Sequence, residues 1–353
     1  MGHTREKASA WGPRRSDLYL RCVAGSNPLQ VMPSMTGDLA RVEAELLDAA
    51  RSGDDFLTEM ASHLITAGGK RVRPGFCMAS AATALAVDAP ASPQAVTGAV
   101  AVELVHLGSL YHDDVMDEAV VRRTVDSVNA RWGNLKAILA GDFLLARASE
   151  LAAGLGVEVA GLLAATIGRL CEGQVLELKH AFDVERTEED YLRAIDGKTA
   201  SLLGSSCRIG GLVADLPRDH TDALTTFGHS YGMAFQVVDD VLDLVATEAD
   251  LGKPTGHDLE EGVYTLPVLL TMASDHGGDL RSLLGGPVDP AARDKAIDIV
   301  RDGDGIPRAI ARARAFADEG RDALKVLPHS PGIIGLSAAA DYLLNNVEAA
   351  AAP

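Results

Sequence analysis

Two short runs of carboxylates, Asp113-Asp114-Val115-Met116-Asp117 and Asp239-Asp240-Val241-Leu242-Asp243, have the residue types and spacing to hold a cation. Helical residues four apart share a face, so Asp113 projects with Asp117 and Asp239 with Asp243. Two carboxylates about 6 Å apart repel by roughly 3 kcal/mol at an effective dielectric near 20. Six around one cavity therefore call for a hard cation. Magnesium suits them, because it keeps several waters and bridges one or two carboxylates to a substrate's phosphate oxygens. Asp113, Asp114, Asp117, Asp239, Asp240 and Asp243 are accordingly the candidate metal ligands. In a chain with 32 aspartates a single such run could equally be a solvated helix face. The second run, and the cations around both, give the pattern its weight.

Those cations come in a fixed order. Gly68-Gly69-Lys70-Arg71-Val72-Arg73-Pro74 precedes the first run, Arg122-Arg123 follows it, and Lys198-Thr199 and then Lys253, in a Gly-Lys-Pro-Thr-Gly loop, come later. His106 stands seven residues before Asp113. A glycine turn followed by lysine and arginine can converge on a diphosphate. The net charge of −18 argues against nucleic-acid binding, which needs a broad basic face, so positive charge here must be concentrated locally.

The elements that carry these residues read as helices. With 47% hydrophobic and 23% charged residues over 353 positions, the chain can bury a large core. From Asp38 onward apolar residues recur at spacings of three and four, as in Leu39, Val42, Leu46 and Leu47, and period-two alternation is nearly absent. Glycine and proline breaks divide the chain into about ten or more helices. Val96 to Leu110 and Phe227 to Leu244 are apolar on more than one face, which predicts burial inside a bundle. Residues 1–34 lack periodicity and read as a flexible leader, leaving 35–353 as one all-α domain. The four cysteines form no Cys-x-x-Cys pair, so neither a zinc site nor a disulfide framework is expected and a cytoplasmic location fits. No window is expected to span a bilayer, and any membrane contact would be peripheral.

The segments GGKRVRP, ELVHLGSLYHDDVMDEAVVRRT, LAGDFLLARA, GKTASLLGSSCRIG, FQVVDDVLD and LGKPTGHDLEEGVYTLPVL together resemble the trans-type polyprenyl diphosphate synthases from about Gly68 to Pro267. The resemblance implies the isoprenoid synthase fold, a helical bundle around a central cavity, in a homodimer. It implies a condensation of isopentenyl diphosphate with an allylic diphosphate, supported by about three magnesium ions. Asp113, Asp117, Asp239 and Lys198 would be catalytic. Lys70, Arg73, His106 and Arg123 would hold isopentenyl diphosphate, while Arg122, Lys198, Lys253 and Gln236 would hold the allylic diphosphate. Thr199 and Gln174 match positions lining the cavity. Val263 stands where many relatives have lysine, so one diphosphate contact is missing or comes from elsewhere.

Gly108 and Ser109, five and four residues before Asp113, are small. With Val105 they are the expected determinants of chain length, since a growing tail would descend about 18 Å of helix from Asp113 to Ala101. The expected product is geranylgeranyl or a longer polyprenyl diphosphate. Two rivals share some of these features. A class I terpene cyclase uses the same ionisation but has no need of GGKRVRP and Arg123 for a second diphosphate. A non-catalytic subunit of a heteromeric synthase has no need of two intact carboxylate runs.

Overall fold

The structure, a computed structural model, describes residues 27–245, 256–275 and 277–351. Lys253 lies outside the described residues. The helices up to the second carboxylate run are α1 (Met35–Ala49), α2 (Asp55–Thr66), α3 (Val72–Ala81), α4 (Pro93–Met116), α5 (Val128–Trp132), α6 (Asn134–Leu155), α7 (Val157–Lys179), α8 (Glu188–Ile195), α9 (Ser201–Val213) and α10 (Arg218–Val245). Then come α11 (His257–Glu260), α12 (Leu266–Met272), α13 (Gly277–Leu283), α14 (Pro290–Asp302), α15 (Gly305–Ala323) and α16 (Pro331–Ala350). The all-α expectation holds.

Helix α4 starts where Ser92 caps the Ala95 amide and Pro93 fills the first turn, where its missing N–H costs nothing. Its 24 residues end at the first carboxylate run. It packs on α6, α3 and α9, while the 28-residue α10, which carries the second run, packs on α9 and α15. Val100, Val102, Leu104 and Leu107 of α4 and Phe227, Val237 and Val241 of α10 are fully or almost fully buried. The two longest apolar helices thus form the centre of the molecule, with a carboxylate run at or near the C-terminal end of each.

After α4 the chain turns through a two-stranded hairpin, β1 (Val121–Arg122) and β2 (Val125–Asp126), with Arg122 opposite Val125. Its two loop residues, Arg123 and Thr124, both have positive φ (53° and 66°), as the twist of a tight hairpin demands. Such angles are uncommon for a β-branched residue. They orient the adjacent Arg122 and Arg123 in different directions.

Residues 28–31, assigned above to a leader, form a 3-10 turn in which Leu29 is fully buried. Asn27, Met32 and Met35 are buried as well. The packed structure therefore begins ahead of the expected boundary at residue 35. Another expectation also changes: α7 is long and apolar enough, by length and composition, to cross a membrane. Its Gly173 meets the segment after α8 backbone to backbone, so in this fold α7 is a wall of the bundle.

Candidate active site

Asp113 and Asp117 lie one turn apart at the end of α4, and the Asp117 amide donates to the Asp113 carbonyl at 2.8 Å. Burial raises the Asp113 carboxyl to about 6; Lys198 and Arg122 pull it down, whereas Asp117 and Glu177 push it up. Asp114 is one residue along the helix, about 100° around the axis, and points elsewhere. It is fully buried, and one of its oxygens accepts from Arg122 Nε at 2.6 Å. Asp114 was expected among the metal ligands and Arg122 among the diphosphate contacts. The structure instead joins them to each other, and Asp114 Oδ2 is buried without a hydrogen-bond partner.

The second run repeats this division. Asp239 is exposed, whereas Asp240 is buried and takes one hydrogen bond on each oxygen, from Tyr191 Oη at 2.5 Å and from Gln236 Nε2 at 2.9 Å. Burial, opposed by those two bonds, raises Asp240 to about 7. Gln236 in turn accepts from Thr199 Oγ1 at 2.8 Å. Asp240 and Gln236, expected at the metal and at the allylic diphosphate, are thus tied into one internal chain with Tyr191 and Thr199. Asp243 is buried on the same helix.

Lys198 lies beside the first run. It lies in a π-helical segment, Asp196–Ala200, inserted between α8 and α9, a distortion that clusters at functional positions. Its Nζ donates to Glu177 of α7 at 2.5 Å. Burial works against the ammonium, but Glu177, Asp113 and Asp117 together raise its pKa. The charge of Glu177 pushes up both Asp113 and Asp240, so both runs feel it. The segment fits because Gly173 and Gly197 face each other: a Cβ on Gly173 would lie 2.4 Å from the Lys198 amide nitrogen, and one on Gly197 would lie 2.7 Å from the Arg169 carbonyl. Gln174, next in α7, is buried with its Oε1 unpartnered.

A second cationic group sits beside these. From the hairpin turn Arg123 donates to the Leu64 carbonyl at 3.1 Å and to the Gly68 carbonyl, which brings it to the glycine loop. His106 is held well below its ordinary pKa by burial and by Arg73, Arg123, Arg71 and Arg122 around it; it is neutral. Lys70 is lowered by partial burial, against the charge of Asp239, which places this group next to the second run. Arg73, His106 and Arg123 are therefore brought together as the sequence implied, and Lys70, on the same glycine loop, feels the charge of Asp239.

The sequence pattern does not single out Glu103, the carboxylate whose charge offsets Arg73 and Arg123. Arg71 is buried in a left-handed conformation (φ 49°), grips both oxygens of Glu43 at 2.6 and 3.0 Å, and donates to Glu103 at 2.8 Å. Glu103 is also 3.9 Å from Arg123. The available signal was Glu103 itself, an acid inside an otherwise apolar helical stretch. Glu177 and Tyr191 were missed too, and neither carries a local signature.

Of the chain-length residues, only Ser109 keeps accessible surface; its Oγ donates to the His106 carbonyl at 2.8 Å. Val105 is fully buried. Gly108 is turned onto α6, where a Cβ would meet the Gly141 carbonyl and Leu145, each at 3.1 Å. Its smallness serves helix packing, which corrects the expectation that it opens a tunnel.

All donors around the two runs are oxygens, the set magnesium prefers. Among the described residues no three acidic, histidine or cysteine side chains converge tightly enough to chelate an ion unaided.

The family model for polyprenyl synthetase matches residues 54–300. The nonaprenyl diphosphate synthase of Mycobacterium tuberculosis is 41% identical over 311 residues, 87% of this chain and 92% of that one. The heptaprenyl diphosphate synthase structure from Staphylococcus aureus superposes with a TM-score of 0.82 at 32% identity, covering 88% of this chain and 98% of that one. The polyprenyl synthase of Caulobacter crescentus, solved with calcium and isoprenyl diphosphate, gives a TM-score of 0.81 at 29% identity over 97% and 99% of the two chains. With both carboxylate runs and the cations between them inside the matched region, the chain belongs to the polyprenyl synthetase family and is a prenyltransferase.

Proposed function

We propose that the protein condenses isopentenyl diphosphate with an allylic diphosphate, building a polyprenyl diphosphate longer than geranylgeranyl. The observation that carries this reading is the division of cations into two groups. Lys198 stands with Glu177 beside Asp113 and Asp117, and Arg73 and Arg123 cluster around His106 with Lys70 on the loop that leads to them. Two diphosphates need two such groups, whereas a terpene cyclase needs one.

Asp113, Asp117 and Asp239 would hold magnesium, which when bound supplies positive charge for the departing diphosphate. Lys198 adds fixed charge on the same side, kept protonated by Glu177, and Lys253 is expected to join it. Ionisation of the allylic carbon–oxygen bond then leaves a carbocation that apolar walls shield from water. The double bond of isopentenyl diphosphate attacks it while Lys70, Arg73 and Arg123 hold the second diphosphate in place, and the cation so formed gives up a proton to the released diphosphate as the new double bond closes. A neutral His106 contributes a hydrogen bond without adding to the repulsion among those cations. Asp114 and Asp240 act one step back, fixing Arg122 and the Gln236 side chain.

The heptaprenyl and nonaprenyl products named for two relatives support a long product, as does the small Ser109. The exposed Leu135, Ile138 and Leu139 of α6 and Val175 and Leu178 of α7 support a homodimer through these helices. Incubating the isolated protein with magnesium, labelled isopentenyl diphosphate and geranyl, farnesyl or geranylgeranyl diphosphate, followed by chromatography of the dephosphorylated products, tests the reading. Chains beyond twenty carbons are expected. Absence of incorporation with every primer would sink it in favour of a non-catalytic subunit.

A further inference from the structure

We infer that Asn27, from the segment ahead of α1, is a positioning residue for the pocket formed by Lys70, Arg73, His106 and Arg123. Its amide Nδ2 donates to two successive carbonyls of the glycine loop, Lys70 at 3.1 Å and Arg71 at 2.9 Å. Its Oδ1 accepts from the Leu29 amide at 2.9 Å and so caps the 3-10 turn behind it. Asn27 is buried, and Gly75 makes the room: a Cβ there would lie 2.7 Å from Asn27 Nδ2.

The bonded carbonyls lie where the pocket's geometry is decided. Lys70 leads into Arg71, whose left-handed backbone is sparsely populated by side-chain-bearing residues and persists only where its surroundings over-determine it. The Glu43 and Glu103 carboxylates fix the Arg71 guanidinium from one side. Asn27 fixes its carbonyl from the other, sharing that oxygen with the Gly75 amide, which donates at 3.0 Å in the first turn of α3. The turn that follows Asn27 is in turn pinned by α16: a Cβ on Gly335 would lie 2.6 Å from the Met32 sulfur. The angle between Lys70 and Arg73 is thereby set by a residue more than forty positions upstream.

This inference rests on reading that pocket as the isopentenyl diphosphate site, so two readouts are needed. Asn27→Asp keeps the cap to Leu29 and loses both donors, and Asn27→Ser is a neutral variant that keeps a capping oxygen and falls short of the loop. In steady-state kinetics each is expected to raise KM for isopentenyl diphosphate by about tenfold, with kcat and the allylic KM within about twofold. In hydrogen exchange, amides of residues 68–75 are expected to exchange about tenfold faster while those of α10 do not change. Unaltered exchange at residues 68–75 in both variants overturns the inference, as does an equal loss in both KM values and kcat. If exchange accelerates and the wild-type protein incorporates no isopentenyl diphosphate, the clamp stands and the assignment of the pocket falls.

Discussion

Arg122 places both Nε and Nη2 2.6 Å from the same oxygen of Asp114, so the second aspartate of the first run is spent on holding a cation of the protein itself. Asp114→Asn should therefore cost stability, about 1 to 3 kcal/mol, and reduce turnover about ten- to a hundredfold through a displaced Arg122. Asp113→Asn and Asp117→Asn should cost little stability and at least about a thousandfold in turnover. Thermal melts paired with steady-state kinetics separate the two classes. An Asp114→Asn enzyme that is fully stable and as inactive as Asp113→Asn would return Asp114 to the metal site.

The second run offers a parallel test. Tyr191→Phe removes the hydroxyl that donates to Asp240 and leaves Gln236 as its remaining donor among the bonds described. A stability loss of about 1 to 2 kcal/mol is expected, together with a several-fold higher magnesium concentration for half-maximal rate as the neighbouring Asp239 loosens. A magnesium titration that is unchanged would show that Tyr191 supports the fold and does nothing for the ligand beside it.

Asp240 also gives a signature in the dependence of stability on pH. Its carboxyl is raised to about 7 in the folded protein, with burial the main cause, against an ordinary value of about 3.9. Between these values the folded state holds a proton that the unfolded chain has released, so this group makes stability fall as pH rises from about 4 to about 7. The slope is at most about 1.4 kcal/mol per pH unit. Denaturant melts of wild type and Asp240→Asn across that range should differ by this slope, the wild type losing stability faster as pH rises. Parallel curves would mean that Asp240 is ionised throughout.

Chain length should respond to Ser109 and not to Gly108. Ser109→Phe should shorten the product with turnover retained, read by chromatography of the dephosphorylated chains. Gly108→Phe must push an aromatic ring into the Gly141 carbonyl and Leu145, and should instead lower stability by about 1 to 3 kcal/mol or more. A stable Gly108→Phe enzyme with shortened products would place Gly108 on the tunnel after all.

The contrast between Ser109 and Gly108 shows where the sequence stops being informative. Helical periodicity is local, so the all-α bundle and the shared faces of Asp113 with Asp117 and Asp239 with Asp243 could be read directly. Which member of each run turns inward depends on the helix's rotation against its neighbours. The residues that settle it are distant: Tyr191 is 49 positions from Asp240. The structural role of Arg71 was equally hidden, because the Glu43 and Glu103 that neutralise it lie 28 and 32 positions away. Asn27 sits in a stretch without periodicity, where a short 3-10 turn leaves no repeating pattern to detect.

The π-helical segment Asp196–Ala200 has one more consequence. A π turn is an α-helix with a residue to spare, so deleting a single position there would let α8 run into α9 as one regular helix from Glu188 to Val213. Such a shortened chain would trade an irregular hydrogen-bond ladder for a better one. It would also rotate Lys198 and Thr199 by about 100°, away from Glu177 and Gln236. Regular helix geometry and the placement of Lys198 therefore pull in opposite directions at this segment.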